Sequence, residues 1–166
     1  MNFPLTELVV LALLILVNAF FAASEIAIVS VRKTRLKQLV DEGNREARII
    51  DSLSENSSRL LATVQVGVTL VGFFSAAVGA VSLADPFYNL ILLVGLPLAP
   101  EAGHSLAVTV ITTILAFLML LLGELVPKTI ALQHAETVAL AVARPVDVLA
   151  RIFAPMVGLL TWVTDL

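Results

Sequence analysis

Residues 106–128 read LAVTVITTILAFLMLLLGELVPK, and the last six letters decide how the whole chain is read. The run up to Gly123 is apolar and long enough to cross the ~30 Å hydrocarbon core of a bilayer. A carboxylate inside such a run, here Glu124, costs roughly a few kcal/mol unless something compensates it. Pro127 has no backbone N–H, so the carbonyl four residues earlier, on Gly123, loses its helical donor. Gly123 has no side chain to cover that oxygen. A bare carbonyl, a carboxylate and the Lys128 ammonium then fall within about one helical turn, as expected of a cation-handling site in a broken transmembrane helix.

Working outward, two more windows are long and apolar enough to span, giving segments at about 5–31, 60–83 and 105–127. The first is too long for a signal peptide, has no basic stretch before it and shows no cleavage signal, so it reads as a retained span. The chain of 166 residues is 59% hydrophobic and 14% charged, with a mean hydropathy of +1.01, a balance foreign to soluble domains. It has no cysteine, which removes disulfides and thiolate metal sites.

The basic residues set the orientation. Arg32, Lys33, Arg35, Lys37, Arg45, Arg48 and Arg59 lie between the first two spans, while Lys128, Arg144 and Arg151 follow the third. The loop from Asp85 to His104 and the segment before the first span carry none. The positive-inside rule then puts the N-terminus outside and the C-terminus inside. The expected fold is an all-α membrane protein: three transmembrane helices (N-out, C-in) plus cytoplasmic juxtamembrane amphipathic helices over about 129–166.

Within that frame, Lys33 to Leu53 reads as one cytoplasmic helix, broken by Ser54-Glu55-Asn56-Ser57-Ser58, which supplies an N-cap for the second span. The outside loop, with Pro86, Gly95, Pro97, Pro100 and Gly103, reads as irregular or re-entrant. Pro145 to Val163 is apolar but carries Asp147, Arg151 and Pro155, so it reads as an interfacial helix in preference to a fourth span. Gly72, Ala76 and Gly79, with Ser75, form a small-residue stripe for close helix approach. Thr109, Thr112 and Thr113 are expected to hydrogen-bond between helices.

The candidate ligands are all oxygens. Glu25 precedes Arg32 by seven residues, placing it about 10 Å inside the cytoplasmic boundary; it either faces an interior cavity or pairs with a basic residue at the interface. Ser24 adds a hydroxyl that either reaches a cation or bonds back to its own helix. In the second span, Thr69 lies at about the depth of Glu25, and Ser75 lies one to two turns further out. In the third, Gly123 and Glu124 stand as above, although Glu124 and Lys128 at i, i+4 also suit a simple ion pair. Ser24-Glu25 and Gly123-Glu124 form a weak echo that sets two carboxylates at similar depth. Oxygen-only sets suit hard cations such as Mg²⁺, Ca²⁺ or Na⁺. His104 and His134 are expected on opposite sides of the membrane.

Three stretches, Ser24-Glu25-Ile26-Ala27, Thr63-Val64-Gln65-Val66-Gly67-Val68-Thr69-Leu70-Val71-Gly72 and Gly123-Glu124-Leu125-Val126-Pro127-Lys128, resemble the membrane domain of the CorC / cyclin M (CNNM) family. The likeness covers essentially the whole chain, with the motifs in family order. It implies Mg²⁺ transport across the cell (inner) membrane, as export coupled to Na⁺ entry by a homodimeric secondary transporter. It also implies a metal site drawn from Ser24, Glu25, Thr69, Ser75, Gly123 and Glu124. Val68 and Gly72 stand where many relatives carry asparagine, so this chain looks like the bacterial, hemolysin-like branch. Relatives normally continue into a pair of CBS domains, which are expected beyond Leu166.

The alternative is a Mg²⁺-binding channel or a sensor signalling to that missing cytoplasmic part. A membrane-lytic role is disfavoured because the basic residues sit in short loops rather than on a pore-forming face. No nucleophile–base or phosphate-cradling set points to an enzyme. The partners expected are the ions, the lipid bilayer and a second copy of the chain, with no nucleic acid.

Overall fold

In the computed structural model, which describes residues 5–55, 57–93 and 99–164, every element is helical. The order is α1 (Leu5–Ser30), α2 (Lys33–Asp41), α3 (Arg45–Glu55), α4 (Ser57–Leu93), α5 (Pro100–Leu120), a π-helical turn (Leu121–Leu125), α6 (Val126–Gln133), α7 (Ala135–Ile152) and α8 (Ala154–Thr164). Three columns are long and apolar enough to cross a membrane: Leu5–Ser30, Ser57–Leu93 and Pro100–Gln133. Large apolar side chains such as Leu16, Phe73, Val81 and Phe117 point outward from them, as helices bathed in lipid require.

The second and third columns are longer than expected. α4 does not stop near Leu83 but runs through Pro86 to Leu93, and Pro100 opens α5. Much of the supposed irregular loop is therefore helix; its residues 94–98, including Gly95 and Pro97, lie outside the described residues. Pro86, which is exposed, leaves the Ser82 carbonyl without its helical donor, and the helix persists through it. His104 Nε2 lies 2.9 Å from Asp85 Oδ1, and the Tyr88 ring packs on Gly103 so closely that a Cβ there would collide with it. Those two contacts tie the extension of α4 to the start of α5.

Between the first two columns, the single helix expected over Lys33–Leu53 is two. Gly43, at φ +87°, turns the chain between α2 and α3. Its N–H bonds to the Val40 carbonyl at 3.0 Å and that of Asn44 to the Leu39 carbonyl at 3.0 Å, an αL helix stop. Asn44 Oδ1 then caps α3 by accepting from the Ala47 N–H at 2.9 Å. The cluster 54–58 expected to cap the second span straddles the end of α3 at Glu55 and the start of α4 at Ser57; Asn56 within it lies outside the described residues.

α7 buries Ala139, Ala143, Val146 and Ala150 on one face, which packs against α1 and α3. Ion pairs fasten its exposed side: Arg35 of α2 to Glu136 at 3.1 Å, and Arg144 to Glu46 of α3. Asp147 and Arg151 pair with each other along α7 at 2.6 Å. The apolar stretch 145–163 is interrupted between Ile152 and Ala154 and does not form one long helix.

Two packing expectations are corrected. Thr109, Thr112 and Thr113 bond within their own helix, to the carbonyls of Ser105 (2.9 Å), Val108 (2.8 Å) and Thr109 (2.7 Å). Back-bonding satisfies a hydroxyl locally, so no neighbouring helix is needed. The close-approach stripe of α4 runs through Gly67, Val71, Ser75 and Gly79, all buried, whereas a Cβ on Gly72 would meet open space and Ala76 is exposed. Gly67 receives the Phe21 ring of α1, and Gly79 receives Leu115 of α5.

Candidate cation site

The break in the third column is a π turn, in which the Val126 N–H reaches back to the Leu121 carbonyl. Such one-turn bulges are uncommon and frequently occur at functional sites. The Gly123 carbonyl beside it is not bare. Asn18 of α1, 3% exposed, donates to it from Nδ2 at 3.0 Å across a sequence separation of 105. Glycine is what permits this approach, since a Cβ at 123 would stand 3.0 Å from Asn18 Nδ2. The other amide atom, Asn18 Oδ1, is buried with no hydrogen-bond partner.

One turn toward the basic end, the two carboxylates converge. Lys128 Nζ lies 2.9 Å from Glu124 Oε1 and 3.5 Å from Glu25 Oε2. The lysine, Glu25 and Glu124 side chains are 30%, 25% and 34% exposed. Two acids therefore share one base, leaving the group one negative charge in excess. Both sequence readings of Glu124 and Glu25 as ion-pair partners are realised, through the same lysine.

The hydroxyls separate by face. Ser24 is fully buried and bonds back to the Phe20 carbonyl at 2.6 Å; donation leaves its lone pairs able to accept or coordinate. Ser75, 2% exposed, lies on the packing stripe of α4 with its Oγ unpartnered. Thr69, two residues off that stripe, is exposed. Among the described residues no cluster of three or more His, Cys, Asp or Glu could hold a metal. The side chains and carbonyl gathered here offer oxygens from Glu25, Glu124 and Gly123, the donor type that suits a hard ion. His104 near the start of α5 and His134 beyond α6 stand at opposite ends of the third column.

Two members of this neighbourhood are absent from the sequence-derived set. Asn18 has a visible signal, an amide within the apolar run of the first span, but its partner cannot be read from local spacing. Lys128 is legible as a partner of Glu124 and not of Glu25.

Comparison with known proteins agrees with this architecture. Residues 9–166 match the model of the CNNM family, described as the cyclin M transmembrane N-terminal domain. The chain is 41% identical over 159 residues to the UPF0053 protein sll0260 of Synechocystis, covering 96% of this chain and 35% of that one. It is 32% identical over 156 residues to the UPF0053 protein YhdP of Bacillus subtilis, covering 94% and 35%. It is 30% identical over 148 residues to the UPF0053 inner membrane protein YfjD of Escherichia coli, covering 89% and 31%. The chain thus spans about a third of the length of the curated relatives it matches. By this match over nearly its full length, the chain belongs to the cyclin M (CNNM) family as its multi-pass transmembrane domain.

Proposed function

We propose that this domain moves Mg²⁺ across the inner membrane, as a homodimeric secondary transporter that exports Mg²⁺ in exchange for Na⁺. The N-terminus lies outside and the basic connection between α1 and α4, together with α7 and α8, lies in the cytoplasm as an interfacial belt. The observation that carries this reading is the convergence of Glu25 and Glu124, from different columns, on one lysine beside the Gly123 carbonyl. Glu124, the Gly123 carbonyl, Ser24 and either Thr69 or Ser75 form or surround the ion, with Glu25 next to them. Carboxylates offset the ion's charge, and neutral oxygens replace part of the hydration shell that Mg²⁺ gives up reluctantly. A broken helix supplies such oxygens at membrane depth.

The test is Mg²⁺ flux in proteoliposomes with and without an opposing Na⁺ gradient. The reading expects flux that follows the Na⁺ gradient and disappears in Glu124→Ala. Flux indifferent to Na⁺ selects a channel. Saturable Mg²⁺ binding without flux selects a sensor that signals to a cytoplasmic part of the protein.

A further inference from the structure

Lys128 stands where an incoming cation would meet its first repulsion. Its ammonium is 2.9 Å from Glu124 Oε1 and 3.5 Å from Glu25 Oε2. Three arginines near the belt are engaged elsewhere: Arg35 with Glu136, Arg144 with Glu46, and Arg151 with Asp147. A metal ion and this ammonium cannot hold the same Glu124 oxygen, because like charges a few Å apart repel strongly where water is scarce. Lysine carries its charge on a flexible four-carbon stem, so leaving Glu124 needs only side-chain rotation. Glu25, on α1, is already within reach.

Resting on the cation reading above, we infer that Lys128 is a tethered exchange cation. It sits on Glu124 while the site is empty and passes to Glu25 when a divalent ion takes Glu124. Glu25 is then the lysine's second seat, not a ligand of the ion. The displaced ammonium remains beside the bound ion and weakens its hold, so that the ion can leave again. The two carboxylates and one lysine have a use in this arrangement that neither a plain ion pair nor a plain ligand pair provides.

Calorimetric titration of MgCl₂ into the full-length protein in lipid nanodiscs tests this with four forms. Lys128→Met, which removes the competitor, is expected to bind about tenfold more tightly than wild type, given a unit charge removed a few Å from the ion. Glu25→Gln, which removes the second seat, is expected to bind about tenfold more weakly for the same reason. The double variant removes both and is expected to recover at least wild-type affinity. Lys128→Met with unchanged affinity overturns the inference, and so does a double variant as weak as Glu25→Gln, which would make Glu25 a ligand. Should Lys128→Met fail to fold, the double variant keeps the wild-type net charge and the comparison with Glu25→Gln still decides. Absence of saturable binding in the wild type is a separate failure, of the cation reading itself.

Discussion

Two sets of ion pairs in this molecule use the same residue types to different ends. At the basic end, Arg35 grips Glu136 through Nε and Nη2 at 3.1–3.2 Å, and Arg144 holds Glu46. Each of these two bases has its own acid. In the column interior, Lys128 is divided between Glu25 and Glu124, and one negative charge is left over. Exposed pairs are screened by water and salt, so a complete pair and a broken one differ little. An unmatched charge at membrane depth is costly unless a further partner arrives. The outer set fastens α7 to α2 and α3, whereas the inner set joins α1 to the third column and keeps one carboxylate charge unmatched.

The sharpest way to break this contrast is Glu124→Ala, which should weaken Mg²⁺ binding by roughly a hundredfold or more, since loss of even an indirect metal partner costs ten- to a hundredfold. Unchanged binding in a calorimetric titration would reduce the inner set to a structural pair like the outer one. Next in size is Gly67→Val. A Cβ there would come within 2.5 Å of the Phe21 ring, so thermal or denaturant unfolding should show a loss of about 1–3 kcal/mol or more from overpacking. Unaltered stability would mean that α1 and α4 can separate without harm to the site.

Asn18→Leu sharpens the comparison from the other side. It strands the buried Gly123 carbonyl, at an expected cost of about 1–3 kcal/mol, and should lower Mg²⁺ affinity more than Gly67→Val does. An affinity equal to wild type would detach the π turn from the ion. The smallest effect belongs to the outer set. The carboxyl of Glu46 is held below its usual range by a backbone hydrogen bond and by the Arg144 guanidinium, against the opposing effect of burial. Its contribution is present above the ordinary value of 4.5 and is lost as pH falls through the lowered folded value. Glu46→Gln should therefore lower the melting temperature slightly at neutral pH and leave acid stability unchanged, with Mg²⁺ binding intact. A large loss of binding would show that the staples serve the site. The Arg35 guanidinium is raised by its hydrogen bond to Glu136, and its exposed pair is weakened by added salt.

Much of this was legible in the chain of letters. Three apolar stretches, the asymmetry of Lys and Arg, and the Gly123-Glu124 and Pro127-Lys128 pairs are local features, and local features carry hydropathy, proline chemistry and i, i+4 pairing. The ends of the columns were less legible, because a proline does not always stop a helix: Pro86 lies inside α4 and Pro145 inside α7. The choice of inward face was also hidden. A membrane helix apolar all round announces no preferred side, so depth alone favoured Thr69, while packing on Phe21 and Leu115 turned Ser75 inward. The sequence by itself determined that there are three spanning helices and that a carboxylate, a proline-freed carbonyl and a lysine stand together in the last. Only the tertiary structure decided that Asn18 takes up that carbonyl and that Glu25 reaches the same lysine, because both partners come from another helix about a hundred residues away, and side-chain pairing across helices depends on rotation and register that no local pattern encodes.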